Sequence, residues 1–139
     1  MTEYAKPLPV PGPESAPFWE ACRRHELCLQ RCAACASFWF PPSALCPTCL
    51  SESWGWEQTS GRGTVYSFVV FHRLYHPGFA DELPYAVAVV ELEEGPRLPT
   101  SIVGVDDTEL RCGMPVEVVF DDVTETVTLP KFGPRAEER

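Results

Sequence analysis

The sequence predicts a mainly β protein: an N-terminal helix, a cysteine-held metal ribbon, then a five-stranded antiparallel barrel of the OB type. Three observations carry this. Two C-x2-C pairs stand ten residues apart in "CAACASFWFPPSALCPTC", residues 32–49. From Gly61 onward apolar residues recur with period two, the spacing of a half-buried strand. Fifteen prolines and 9 glycines in 139 residues favour short strands and many turns over long helices.

Residues 1–13 contain Pro7, Pro9, Pro11 and Pro13. A segment so spaced cannot form a helix and runs extended over a surface, as a frayed tail or as an arm that wraps a partner. In the segment 14–27, Ser15 is a good N-cap and Pro17 falls in the first turn, where its missing N–H costs nothing. Phe18, Trp19, Cys22 and His25 form one apolar face opposite Glu20, Arg23, Arg24 and Glu26, which predicts a helix from about Ala16 to His25. "ELCLQRC" then alternates like a strand entering the first cysteine pair.

Residues 28–59 form the ribbon. Each C-x2-C pair bends the backbone so that both sulfurs reach one ion, and the ten-residue insert brings the second pair round to complete a tetrahedron. Cys32, Cys35, Cys46 and Cys49 are therefore the expected metal ligands. Four thiolates select zinc, or iron in the rubredoxin manner. Zinc is preferred because Ala36 and Leu50, not glycine, follow the two pairs. A four-cysteine shell has no open position for water or substrate, so the metal is expected to be structural. Cys22, Cys28 and Cys112 read as small buried hydrophobes. Phe38, Trp39 and Phe40 read as packing residues or an exposed patch, and Trp54 and Trp56 as the packing between ribbon and barrel.

The barrel, residues 60–132, has strands expected at 63–73, 84–94, 97–105, 115–122 and 125–132, before a C-terminal tail, 133–139. Five antiparallel strands in so short a stretch suit the OB type, although an SH3-like barrel or an open sheet gives a similar pattern. The longest connection, "RLYHPGFADELP", carries Tyr75, His76 and Phe79, and a long aromatic loop on a small barrel reads as functional.

Charge excludes more than it assigns. The net charge is −9, with no basic face of the kind that neutralises phosphates. A nucleic-acid module, the alternative reading of an OB barrel beside a zinc ribbon, is disfavoured. No run reaches the roughly 18 apolar residues of a membrane span, and nothing resembles a signal peptide, so a cytoplasmic chain is expected. His25, His72 and His76 have no recognisable nucleophile constellation around them, and Asp106–Asp107 and Asp121–Asp122 read as solvated turn residues. No glycine-rich phosphate loop, H-E-x-x-H or G-x-S-x-G is present.

Six stretches in order, "PFWEACRRHELCLQRCAAC", "FPPSALCPTC", "SGRGTVYSF", "PYAVAVVELEEGPRL", "CGMPVEVVF" and "TLPKFGP", make the chain resemble a known family. It is the acyl-CoA-associated family with a rubredoxin-like zinc ribbon and an OB-fold, catalogued as domain of unknown function thirty-five. The resemblance implies a non-catalytic subunit that accompanies thiolase-superfamily enzymes, including sterol-carrier-type thiolases and the aldolases that shorten sterol side chains in steroid degradation. The partner then holds the catalytic residues, while ribbon and barrel assemble the complex and shape the acyl-CoA channel. The CoA phosphates would meet the partner's basic groups, with Arg31 or Arg62 nearby. Phe18, Trp19, Tyr75, His76 and Phe79 are the candidate partner or acyl-CoA contacts. Some members are fused to a hot-dog-fold hydratase, for which this chain is too short.

Overall fold

The computed structural model describes residues 12–72, 77–78, 85–106 and 108–135. Helix α1 (Ala16–Arg23) is followed by β1 (Cys28–Cys32), β2 (Phe38–Trp39) and β3 (Trp54–Gln58), then by β4 (Arg62–Phe71), β5 (Tyr85–Leu92), β6 (Arg97–Ser101), β7 (Pro115–Asp122) and β8 (Thr128–Pro134). Two sheets form, ordered β2-β1-β3 and β6-β5-β4-β7-β8.

The larger sheet curls on itself. A β-bulge between Val65 and Ser67 bends β4, and the strand pairs β7 only from Arg62 to Thr64. The ends of the sheet meet through one parallel bridge, Ile102 to Phe132, with the Val103 N–H donating to the Phe132 carbonyl at 2.9 Å. That order and parallel closure give the OB arrangement rather than an open sheet. The third strand is shorter than expected, ending at Ser101 with only Ile102 beyond it in a bridge. The last begins at Thr128, because Val123 and Thr124 close a turn onto the Val127 carbonyl.

Gly63 marks how tightly the barrel coils, since a Cβ there would collide with the Glu91 carbonyl across the β4–β5 ladder. Inward residues Val65, Ala88, Val90, Leu92, Leu98, Val116 and Phe132 fill the interior. Helix α1 packs against β8 and β1, adding Phe18 and Cys22 to this core. Leu27 and Leu29, at the start of the ribbon, belong to it as well. Ribbon and barrel thus share one apolar interior.

Two expectations for the helix are corrected. Ser15 makes no side-chain cap; its hydroxyl accepts the Gly12 N–H at 3.0 Å instead. The helix also stops at Arg23, two residues early. Its end is a Schellman-type turn, in which the His25 N–H reaches the Cys22 carbonyl and the Glu26 N–H the Ala21 carbonyl, both at 2.9 Å. His25 therefore adopts φ 60°, a conformation glycine usually fills. No helix of the described residues is long and apolar enough to cross a membrane.

The short strands β2 and β3 were not anticipated. Glycine inside "WGWEQ" hides β3, and β2 is two residues long. Both flank β1 antiparallel, with Gln30 opposite Trp39 and Trp56. The buried Gln30 amide exchanges two hydrogen bonds with the Ser43 backbone, at 2.7 and 2.9 Å. That pair holds the apolar insert against the ribbon.

Candidate metal centre and its surroundings

The four expected ligands converge. The Sγ atoms of Cys32, Cys35, Cys46 and Cys49 all lie within 4.8 Å of one another. Cys32 Sγ stands 3.5 Å from Cys49 Sγ, and Cys35 Sγ 3.6 Å from Cys46 Sγ. These separations far exceed the roughly 2.05 Å of a disulfide. They sit close to the roughly 3.8 Å edge of a tetrahedron with 2.3 Å metal–sulfur bonds. The donor set and its spacing fit a tetrahedral thiolate-bound ion.

The backbone explains the convergence. In each pair the N–H four residues on closes the loop, Ala36 onto the Cys32 carbonyl at 3.0 Å and Leu50 onto Cys46 at 2.8 Å. Both residues take positive φ, 64° and 63°. The absence of glycine, which helped favour zinc, thus does not change the knuckle geometry. It places a strained side chain at each knuckle, at an intrinsic cost of about 1–2 kcal/mol per residue. Both side chains are exposed, Leu50 at 70%.

Sulfur electrostatics favour a cation. The N–H groups of Cys35 and Ala34 point at Cys32 Sγ, at 3.4 and 3.3 Å, and hold its thiol below the usual range. The Ser37 hydroxyl and N–H bring Cys35 down to about 6. Cys49 is pulled down by the Ser51 N–H, but contacts from the Cys32, Cys35 and Cys46 sulfurs, with desolvation, push it up to about 12. The cluster cannot hold four bare thiolates, and a divalent ion resolves the repulsion.

Around the four sulfurs, Cys32, Trp39 and Cys46 form a second small core with Trp54 packed on it. The Trp39 and Trp54 rings meet edge to face at 6.0 Å, and Trp54 and Trp56 at 6.2 Å. Trp56 in turn packs on the barrel core, so of the two tryptophans expected to join ribbon and barrel, Trp54 serves the metal side. Arg31 lies over the Phe38 ring at 4.8 Å and bonds Glu57 at 3.0 Å. Arg62 pairs with Glu93 at 3.3 Å.

The remaining candidates separate. Phe18 is 4% exposed, in the core, and touches Trp19 at 5.0 Å and Phe40 at 5.5 Å between ring centroids. Trp19 is half-buried beside it. These rings floor a groove of about 240 Å³, walled by residues 98–101 of β6 and 129–131 of β8. Tyr75, His76 and Phe79 lie outside the described residues. Of the thiols not used by the metal centre, burial pushes Cys22 up to about 12 and also raises Cys28; both are core residues and Cys112 is exposed.

Sequence reasoning missed one polar cluster. His25 Nε2 contacts both Asp122 oxygens at 3.0 and 3.1 Å, and the Thr128 hydroxyl donates to Asp122. Asp121 holds Lys131 at 2.6 Å. The acidic pair is therefore engaged in side-chain bonds while its carboxylates stay open to solvent. Nothing in the local sequence could have paired residues 97 positions apart.

A four-thiolate ribbon whose first strand feeds the core of an OB barrel defines a two-part architecture, and comparison with known proteins places it. Residues 19–55 match the family model of the ChsH2 rubredoxin-like zinc ribbon domain, and residues 56–121 that of the ChsH2 C-terminal OB-fold domain. The chain belongs to the DUF35 family. A DUF35 domain-containing scaffold protein of Methanothermobacter thermautotrophicus is 36% identical over 104 residues, 74% of this chain and 77% of that protein. A probable enoyl-CoA hydratase alpha subunit of Thermomonospora curvata is 41% identical over 93% of this chain. The 3-oxo-4,17-pregnadiene-20-carboxyl-CoA hydratase alpha subunit of Mycobacterium tuberculosis is 38% identical over 82%. The chain spans only 40% and 36% of the length of these two subunits. Among solved structures, a chain of the Ltp2-ChsH2(DUF35) aldolase superposes with TM-score 0.83 at 41% identity, covering 91% of this chain and 98% of that one. A DUF35 protein of unknown function from Sulfolobus solfataricus, at 12% identity and TM-score 0.63, shares the fold.

Proposed function

We propose that this chain is a non-catalytic accessory subunit that binds and completes a thiolase-superfamily enzyme acting on an acyl-CoA, with structural zinc in its four-cysteine site. The observation that carries the reading is the match to the aldolase chain, which extends over 98% of that chain. Two of the named relatives are alpha subunits of CoA-thioester hydratases, and a third is a DUF35 scaffold protein. The His25 ring is held by Asp122.

The chain's own residues then do three things. Cys32, Cys35, Cys46 and Cys49 hold the zinc ion, whose chemistry there is cross-linking, because four thiolates leave no open coordination position. The shared core fixes the ribbon relative to the barrel. The half-buried Trp19 ring of α1 and the apolar barrel wall supply surface to the partner and to its acyl-CoA channel. Retro-aldol cleavage of a sterol side-chain acyl-CoA is the reaction this reading favours, supported by the pregnadiene carboxyl-CoA named for one relative.

The test is reconstitution. The chain is co-expressed with a thiolase-superfamily aldolase of the Ltp2 type, and complex formation and retro-aldol cleavage of a β-hydroxyacyl-CoA are measured. A stoichiometric complex, active where either chain alone is inactive, is expected. A chain that forms no complex, or instead shifts salt-sensitively with RNA or single-stranded DNA, overturns the reading.

A further inference from the structure

Below the single bridge from Ile102 to Phe132 the barrel does not zip shut. Among the described residues, the links along that seam are the Val103 to Phe132 hydrogen bond and one from the Thr100 hydroxyl to the Pro130 carbonyl at 3.3 Å. Each facing edge carries a proline, Pro99 in β6 and Pro130 in β8. A proline has no N–H to give to a ladder, so neither edge is a good template for an added strand. What the seam offers is shape. Phe18, Trp19 and Phe40 line it together with the leucines and prolines of the two edges and the polar Thr100, Ser101 and Lys131.

Three properties select its occupant. The volume, about 240 Å³, falls below the roughly 300–1,000 Å³ of small-molecule sites, and is of the order of one large side chain. Lys131 is the one ionisable residue lining it, and Asp121 neutralises it at 2.6 Å. The groove therefore offers no free charge to a fatty-acid carboxylate or a CoA phosphate, and matches an uncharged apolar group. The walls are stiff, because proline and packed aromatic rings lose little freedom on binding.

We infer that this groove is a socket for one aromatic or branched aliphatic anchor side chain of the partner enzyme, flanked on the partner by basic residues that complement the −9 charge of this chain. The inference rests on the subunit reading above and adds where and by what chemistry the partner is held. Such anchors, desolvated at the centre of an interface, carry most of the binding energy of protein pairs.

The test measures affinity of the full, metal-loaded chain for the purified Ltp2-type aldolase by isothermal titration calorimetry. Ser101→Trp fills the groove from its lip, and Trp19→Ala removes part of its floor. Glu125→Trp, at an exposed position of the Val123–Val127 turn, adds equal bulk elsewhere. Circular dichroism and zinc content confirm that each variant is folded. Both groove variants are expected to bind at least about thirtyfold more weakly, the loss of one hot spot, with Glu125→Trp within about threefold of wild type. Wild-type affinity in both groove variants overturns the socket and leaves the subunit reading standing. Octanoate bound by the wild type and lost in Ser101→Trp, at unchanged partner affinity, also overturns it and assigns the groove to an acyl chain. A homodimer split by Ser101→Trp overturns it in favour of a second copy. No complex with the wild type removes both readings together.

Discussion

The His25 imidazole is clasped by Asp122 through Nε2, at 3.0 and 3.1 Å, while its face stacks on Phe120 at 5.2 Å with the rings 14° apart. The turn that ends α1 is thereby tied to the last residue of β7. A histidine in a glycine conformation is tolerated here because the barrel holds its ring. His25→Ala keeps the backbone strain and loses both contacts, so it should lower stability by about 1 kcal/mol. His25→Gly loses the contacts but relieves the strain, and should cost less. Urea unfolding of the two variants measures the order.

Asp122 gives this clasp a pH signature. The Thr128 hydroxyl first, and His25 second, hold its carboxyl below the usual carboxylate range. A folded value below the unfolded one lends stability that is present above about pH 3.9. That stability drains away as pH falls through the folded value. Asp122→Asn should flatten this part of the acid limb in a plot of stability against pH. An unchanged slope below pH 4 would show that the clasp is not linked to folding.

Leu50 carries knuckle strain in solvent rather than in a core. Leu50→Gly gives up little packing, at 70% exposure, and removes a left-handed penalty of about 1–2 kcal/mol, offset by about 0.5–1 kcal/mol of added unfolded-state freedom. A net gain near 0.5 kcal/mol in the metal-loaded protein is expected. Destabilisation on thermal melting would mean that the Leu50 side chain does more than sit on the knuckle.

The metal should govern more than the ribbon. Cys46, fully buried between Trp39 and the other ligands, is the ligand whose loss opens the small core. Cys46→Ser should reduce the metal content from one ion per chain and lower the barrel's melting temperature too, because Leu27 and Leu29 enter the barrel core from the ribbon side. A barrel melting unaltered in Cys46→Ser, or after chelation, contradicts that coupling.

Thiol chemistry counts the same arrangement. At pH 8 a disulfide reagent should find one prompt thiol, Cys112, which is exposed. Cys22 and Cys28 are slow because burial raises both, and the ligand cysteines wait for a chelator. All seven cysteines should react in denaturant with chelator. Prompt reaction of the ligand cysteines in the loaded protein would speak against a closed site.

The ligands were legible in the sequence because a metal knuckle is a local device, in which two cysteines and the turn between them carry the geometry within a few residues. The larger strands were legible for a similar reason, since Val65, Val90 and Val116 each sit in an alternating run. Strand β3 was hidden because Trp54 and Trp56 take their strand character from pairing with β1, against a glycine in the middle. The clasp and the groove were hidden because each is made where distant elements meet. Position 25 looks like the last turn of a helix until Asp122 arrives from β7.

The two family matches meet between residues 55 and 56, in the middle of β3, and the core runs across that point. A seam in the record of relatedness is thus not a place where the polypeptide can be cut. Any lineage that exchanged the ribbon for another would have had to carry matching partners for Leu27, Leu29 and Trp56 along with it. The two halves can diverge in sequence only in step, and a transplanted ribbon that ignored the barrel beneath it would leave that barrel uncovered.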